Sequence, residues 1–385
     1  MIPFRKGQAR LAKSLYLTAN TLLETLCKIL WPGKRPHHTH RICLYRIGNI
    51  GDIACAIPAM AAIRRAYPAA HLTLLTSPGK NGMLGAKELF EGADWLDEII
   101  IYHSDEINTK RKQWAFLKRL RKLRFDVWFE LPNDLITFRT AIRNMAMAWL
   151  SGARWAYGWR INTIRWATQA QSEHLKFPNE TERLLNILSE TGVEISEVAF
   201  PLPLKLRHRE RVDDLLKTYG LSEKPLIAIA PGAKRPLNRW PAERFSEVGH
   251  HAIKKGLGVV VLGGESETLL CQQIVDGMRE GGISLAGRTS LLESCELLKR
   301  CRLLICNDSG VQHLAAAVGT PCVSLFSFRD FRGKWRPYGM QNTVLQKWVG
   351  CHTCFLETCP YDNHCIKLIG ASEVKDLIDQ RMKTS

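Results

Sequence analysis

Four stretches of this 385-residue chain hold residue types at spacings that suit chemistry. The first is Arg46-Ile47-Gly48-Asn49-Ile50-Gly51-Asp52. Its glycines Gly48 and Gly51 let a backbone turn tightly and approach a ligand, while Asp52 falls at or near a helix start, where an N-capping role alone would also account for it. The second is Asn307-Asp308-Ser309-Gly310-Val311-Gln312-His313. There Ser309 and Gly310 leave backbone N–H groups open at a helix N-terminus, a natural seat for phosphate. The third, Pro231-Gly232-Ala233-Lys234-Arg235 followed by Asn238-Arg239-Trp240-Pro241, offers the cations Lys234, Arg235 and Arg239 for a diphosphate. The fourth, Gly263-Gly264-Glu265-Ser266-Glu267, offers a carboxylate for ribose hydroxyls. Neither a dinucleotide fingerprint nor a phosphate loop of the Gly-Lys-Ser/Thr kind is present, since G-x-x-G-D has the wrong spacing.

The twelve cysteines divide into two groups. Cys27, Cys43, Cys55, Cys271, Cys295, Cys301, Cys306 and Cys322 lie in apolar segments and read as small core hydrophobes. Cys351, Cys354, Cys359 and Cys365 crowd together at a spacing that suits a tetrahedral structural zinc site, with reduced, unliganded thiols as the alternative.

The elements that must position these residues follow from periodicity. Strands are expected at Arg41 to Ile47, His71 to Thr76, Ile99 to Tyr102 and Asp126 to Leu131, with helices at Ile53 to Tyr67 and Thr109 to Arg124. A second series runs through strands at Leu226 to Ala230, Gly258 to Leu262, Leu303 to Cys306 and Cys322 to Phe326. Its helices fall at Pro241 to Lys255, Ser266 to Glu280, Ser290 to Arg300 and Gly310 to Val318. Such alternation argues for parallel sheets covered on both faces. Ligands of these sheets bind beyond the carboxyl ends of the strands, so a cleft between two domains is the expected site. The prolines and charges of Pro201 to Lys224 suit a linker. The implied division is an N-terminal segment 1–40, a first domain 41–205, a second domain 206–345 and a Cys-rich tail 346–385. The last helix, Ser372 to Met382, could cross back to the first domain.

Before Arg41, a helical wheel puts Phe4, Leu11, Leu15, Leu22, Leu26 and Ile29 on one face and Lys6, Arg10, Lys13, Asn20, Glu24 and Lys28 on the other. This basic amphipathic helix suits an anionic membrane surface or the protein's own surface. The prolines after it and the His37 to His40 cluster read as linker. Lys110 to Arg124 interleaves eight Lys or Arg with Trp114, Phe116 and leucines. With Arg154, Trp155, Tyr157, Trp159, Arg160, Arg165 and Trp166 it concentrates cations and aromatics in the N-terminal half, as anionic headgroups or a phosphorylated glycan would require.

Composition limits the classes. With 45% hydrophobic and 24% charged residues the chain is globular. Its net charge of +17 calls for an anionic partner. No nucleic-acid module is present, so nucleic acid is not the expected partner. No apolar run is long enough to span a bilayer, and no secretory signal is evident, which places the chain in the cytoplasm.

Taken in order, the segments Arg46 to Asp52 with Pro58 and Arg64 to Pro68, Ala230 to Ala233, Arg239 to Pro241, Gly263 to Glu265 and Asn307 to His313 resemble glycosyltransferase family 9, the ADP-heptose:lipopolysaccharide heptosyltransferases. The resemblance runs from about Arg41 to the end. It implies a GT-B fold, two facing Rossmann-like domains with acceptor on the first and nucleotide sugar on the second. It also implies inversion without a catalytic metal or other cofactor, Asp52 as general base, and an acceptor-side loop of Gly48, Asn49 and Gly51. Donor contacts transfer to Asp308, Ser309, Gly310, Val311 and His313, with Lys234, Arg235 or Arg239 on the diphosphate and either Glu265 or Glu267 on the ribose. The implied partners are ADP-heptose, an acidic glycolipid (lipid A with its acidic sugar, or the inner core), and the inner face of the inner membrane. Cys-rich tails also occur in many members. One departure stands out: Asn238 occupies a position where many relatives carry Lys. It keeps a non-catalytic nucleotide-sugar or membrane-binding protein on the same fold as the alternative.

Overall fold

The first strand, β1 (Arg41–Ile47), is buried along almost its full length, as a central strand of a sheet covered on both faces must be. The computed structural model describes residues 6–36, 38–79, 84–133, 136–161 and 177–383, the side chains of residues 6–13 and 16 excepted. The chain divides into two units, Met1–Pro201 and Leu202–Ser385.

In the first unit β1 is joined by β2 (His71–Ser77), β3 (Glu98–Ile101), β4 (Val127–Glu130) and β5 (Trp155–Tyr157) in the order β3-β2-β1-β4-β5. All four pairings are parallel, and β1 meets β2 from Arg41 opposite His71 to Ile47 opposite Ser77. The chain winds outward from β1 to β3, then returns to place β4 on the other side of β1. Between β1 and β4 the winding therefore reverses, and at such a switch point the two following loops diverge and open a crevice at the carboxyl ends.

The second unit repeats the device. Its sheet has the order β11-β10-β9-β6-β7-β8, from β6 (Leu226–Ala230), β7 (Gly258–Val261), β8 (Gly282–Ser284), β9 (Cys301–Asn307), β10 (Cys322–Phe326) and β11 (Thr343–Gln346). Here the reversal lies between β6 and β9. The helices around the sheets include α2 (Ile50–Ala66), α3 (Ala86–Leu89), α4 (Lys110–Lys122), α5 (Phe138–Leu150) and α6 (Glu180–Ser189) in the first unit. The second unit has α7 (Leu206–Thr218), α8 (Ala242–Lys254), α9 (Thr268–Gly277), α10 (Leu291–Arg300), α11 (Gly310–Ala317), α12 (His364–Lys367) and α13 (Ala371–Lys383).

Three expectations change. The segment Pro201 to Lys224 is not simply a linker, because α7 occupies most of it. Its charges face water while Val212, Leu215 and Leu216 are buried, and the helix packs on α10. The terminal helix α13 does not need to cross back: Val374 and Ile378 enter the core of its own unit, and His251 of α8 bonds Asp379 at 2.9 Å.

The N-terminal helix α1 (Lys6–Leu30) is the third. Its core-facing residues are Leu23, Leu26, Cys27 and Leu30, with Trp31 beyond its end. Trp31 stacks on Trp159 with ring centroids 5.3 Å apart and donates from Nε1 to Ala153 O at 2.8 Å. Asn20 belongs to this side and not to the solvent face: its Nδ2 donates to Ile161 O at 2.8 Å and its Oδ1 accepts from Ile161 N–H at 2.9 Å. Leu15, Leu22 and Ile29 point outward, with Ile29 66% exposed. The helix thus has one face in the core and a second apolar face left open. Phe4, His37, Arg165 and Trp166, and the side chains of Lys6, Arg10, Leu11 and Lys13, lie outside the described residues.

Candidate active site

At the end of β1 the chain turns through Gly48, whose φ of +146° suits glycine. A Cβ there would come within 2.3 Å of Asp52 Cβ, so the glycine is what allows the Asp52 side chain to fold back over the turn. Asp52 lies in the first turn of α2 and its Oδ2 accepts from Asn49 N–H at 3.0 Å, which is the capping arrangement. About a quarter of its side chain remains exposed. The cap and an open carboxylate therefore coexist.

Behind Asp52 lies a charge network for which the sequence reading had no place. Arg46 is fully buried. Its Nη2 sits 3.0 Å from Glu180 Oε1 and 3.7 Å from Asp52 Oδ1. Its Nε donates to Asp52 O at 3.2 Å, and its Nη1 donates to Pro132 O at 2.8 Å and Leu131 O at 3.3 Å. Glu180, also buried, takes a second partner in Arg183 at 2.7 Å. Burial alone would raise the Glu180 carboxyl; Arg183 and Arg46 outweigh that and hold it below the usual carboxylate range. Arg46 thus ties the β4 exit, the start of α6 and the turn carrying Asp52 into one unit. The only sequence-level sign of Glu180 was the Asn179-x-x-Glu182 capping box at the start of α6.

In the second unit the switch-point loops are fastened by Asn307. Fully buried, it donates from Nδ2 to Pro231 O at 2.6 Å, and its Oδ1 accepts from Trp240 N–H at 3.0 Å. These bonds hold the β6 exit and the Arg239-Trp240-Pro241 segment against the β9 exit. Asp308 follows, then Ser309, Gly310 and Val311 at the start of α11, where no side chain caps the helix. His313 is buried, its ring 6.3 Å from that of Trp335.

Asn238 is buried here, donating from Nδ2 to Asp308 Oδ2 at 3.2 Å and accepting from Ser327 Oγ at 2.6 Å. A neutral amide at this position gives Asp308 a hydrogen bond but no counter-charge. Burial first, and the Asp330 charge second, push the Asp308 carboxyl up to about 7. A carboxyl raised on folding binds more protons folded than unfolded between the two values, so its contribution to stability is full at low pH and is lost as pH rises through about 7. Asp308→Asn should flatten that part of the profile. Thermal unfolding from pH 5 to 8.5 checks it: parallel curves for the two proteins would show that Asp308 does not titrate there.

The cations sit on the neighbouring loop. Lys234 and Arg239 are exposed, although Arg239 Nε donates to Ala233 O at 3.0 Å and so braces the loop as well. Arg235 pairs with Glu357 at 3.3 Å. Of the two carboxylates, Glu267 turns back on its own loop and accepts from Gly264 N–H at 2.9 Å. It also lies so close to Gly232 that a Cβ there would fall 1.9 Å from Oε1. Glu265 is exposed. The structure therefore brings all the named donor-side residues to the carboxyl end of the second sheet.

The zinc expectation is not supported. Among the described residues no group of three or more His, Cys, Asp or Glu is disposed to hold a metal ion. The four cysteines are half-buried, and two of them accept backbone hydrogen bonds: Cys365 Sγ from Phe328 N–H at 3.4 Å and Cys359 Sγ from Tyr361 N–H at 3.4 Å. What holds the tail is Arg329, donating to Leu356 O, Phe355 O and Glu357 Oε1 at 2.6, 3.3 and 2.7 Å. Seven of the other eight cysteines are buried and Cys27 is half-buried, as core packing requires.

The profile of glycosyltransferase family 9 (heptosyltransferase) matches residues 113–365. Lipopolysaccharide heptosyltransferase 2 of Escherichia coli K12 is 28% identical over 267 residues, covering 64% of this chain and 71% of that protein. Among solved structures, a glycosyl transferase family 9 protein from Veillonella parvula superposes with a TM-score of 0.71 at 20% identity over 92% of this chain and 99% of its own. E. coli ADP-heptose lps heptosyltransferase II does so with a TM-score of 0.64 at 20% identity over 89% and 99%. With its two parallel sheets the architecture is GT-B, and the chain belongs to glycosyltransferase family 9, as an enzyme that transfers a heptosyl group.

Proposed function

We propose that the chain moves a heptose from ADP-heptose to an acidic lipopolysaccharide core acceptor with inversion, with Asp52 as general base and without a catalytic metal. The observation that carries this reading is the pair of equivalent switch points, one presenting a partly open carboxylate and the other an uncapped helix N-terminus. An acceptor hydroxyl attacks the anomeric carbon, its proton passing to Asp52 as the new C–O bond forms. The bond from that carbon to the diphosphate oxygen breaks on the opposite face, and ADP leaves with the electron pair. The α11 N–H groups at Ser309, Gly310 and Val311, with Arg235, whose charge reaches Asp308, and Lys234 next to it in sequence, meet the charge that develops on the diphosphate. Glu265 is the better placed of the two carboxylates for the ribose, since Glu267 already serves its own loop.

The names of the relatives supply the sugar, the nucleotide and the glycolipid. A donor screen with deacylated core acceptor, read by product mass, tests the reading. Heptose addition with ADP release is expected, and no ADP release from any sugar nucleotide would remove it.

The same reading places the enzyme on the inner face of the inner membrane. Among the described residues no helix is long and apolar enough to cross a membrane. The open face of α1, with Leu17 and Leu22 about half exposed, lies on a helix that packs against α5, where Trp149 is 51% exposed. Together with the basic α4, these features support docking on anionic lipid. Co-sedimentation with vesicles rich in anionic lipid should be strong at low salt and weaken as salt rises; its absence would count against docking.

A further inference from the structure

A cavity of about 210 Å³ opens at the switch point of the first sheet, between the ends of β1 and β4 and the start of α5. Three features show that it is built to hold something. Its deepest polar groups, Tyr45, Glu130 and Asn144, are each at most 3% exposed. Asn133 Oδ1, also in its wall, is buried with no hydrogen-bond partner among the described residues, and a buried carbonyl of that kind is seldom left unpaired. Ile47 and Leu131 line it too, so it adjoins both the turn that carries Asp52 and the carbonyls that Arg46 grips.

We propose that this cavity is the subsite for the terminal ring of the acceptor, that it selects an uncharged polyhydroxylated sugar, and that Glu130 and Asn144 are the groups that read the ring's hydroxyls. The inference rests on the sugar-transfer reading above. The volume lies below the range of about 300–1,000 Å³ usual for drug-sized ligands, so one sugar ring is the natural occupant. Its wall mixes hydroxyl, amide and carboxyl groups with aliphatic side chains, the combination that suits the polar rim and apolar face of a pyranose.

Charge is what decides for a neutral ring. Among the described residues no Lys or Arg lines the cavity. Of the nearby cations, Arg46 is committed to Glu180 and three backbone carbonyls, and Arg143 on α5 donates to Asn144 Oδ1 at 3.2 and 3.1 Å. Around Glu130 stand Cys43, Tyr45 and Arg46 from β1, Trp128 from β4, Arg143 and Asn144 from α5, and Tyr102 beyond β3. Asn144 Nδ2 donates to Glu130 Oε1 at 2.8 Å, while among the described residues Oε2 has the indole N–H of Trp128 at 3.5 Å. Burial pushes the Glu130 carboxyl up to about 8, against the pull of those two donors and of Arg143 and Arg46, so near neutrality it can both donate and accept. A phosphorylated or carboxylated ring would meet no Lys or Arg in the described wall, and the charges of Arg143 and Arg46 already act on Glu130.

The test uses the full-length enzyme with deacylated core acceptors and reads kcat, acceptor KM and donor KM separately. Glu130→Ala should raise the acceptor KM at least tenfold, with kcat and donor KM within threefold. Glu130→Gln, which keeps the shape and the neutral hydrogen-bonding groups, should restore the KM to within threefold. Ile136→Trp, which fills the cavity from its wall, should raise the acceptor KM in the same way, and it replaces Glu130→Ala if that variant does not fold. An acceptor ending in a neutral ring should exceed one ending in a carboxylated ring at least tenfold in kcat/KM. Turnover with an unchanged acceptor KM in Ile136→Trp, no rescue by Gln, or equal use of the two acceptors would overturn the proposal. Absence of turnover by the wild type with every donor would instead overturn the transferase reading itself.

Discussion

Asp52→Asn should cut kcat by about 10²–10⁴ while ADP affinity stays unchanged, since loss of a positioned general base costs about that factor. Asn is the informative replacement. Its side-chain oxygen can still accept from Asn49 N–H, so the turn and the first turn of α2 keep their bond, and only the proton-accepting charge is lost. In barrier terms the expected loss is roughly 3–5 kcal/mol. Single-turnover transfer measured alongside ADP binding separates the two roles, because a residue that only caps the helix would leave Asp52→Asn active. The binding half of the prediction follows from position: Asp52 belongs to the first unit, whereas the residues proposed for ADP all belong to the second.

Arg46→Met should destabilise the first unit by about 3–5 kcal/mol, the cost of removing one partner from a buried ion pair. Methionine fills much of the same space but leaves Leu131 O, Pro132 O and Asp52 O without their donor and Glu180 with Arg183 alone. Denaturant unfolding followed by a signal from the first unit measures the loss, and a change below about 1 kcal/mol, the scale of an exposed pair, would show that the network is not coupled to the fold. The wild-type network also has a pH signature. Because Glu180 is held below its ordinary value, its stabilising contribution is present at neutral pH and disappears as pH falls through the acid range.

Much of the architecture was legible because parallel strands covered on both faces are short, largely apolar runs. The expected limits of Arg41 to Ile47, Leu226 to Ala230 and Cys322 to Phe326 coincide with β1, β6 and β10. Weakly apolar elements were not read. β5, β8 and β11 are three or four residues long and none is wholly buried. The charge-rich α7 carries its apolar contacts on a few residues only.

The site divides in the same way. Residues set beside a glycine at a helix start, such as Asp52 and Ser309, advertise themselves by local spacing. Arg46 was visible as part of the first motif, but its partner Glu180 comes from a helix 134 positions further on, and no local pattern joins them. The wheel erred on Asn20 for a related reason: hydropathy puts a polar residue in water, whereas this one finds two backbone partners at Ile161.

The reversal of winding that opens both crevices also fixes when they come into being. The pairings that close the switch points join Ile42 to Val127 in one unit and Ile227 to Leu303 in the other, far longer chain loops than the hairpin-like neighbours of an antiparallel sheet require. Bringing such distant segments together carries the larger loop-closure entropy and belongs to the slow part of folding. Each crevice is therefore a late product of its unit: a chain that has formed only its first βαβ segment, β1 to β2 or β6 to β7, has neither the clamp on Asp52 nor the cradle at α11. On the proposed function, ligand recognition waits for each sheet to close.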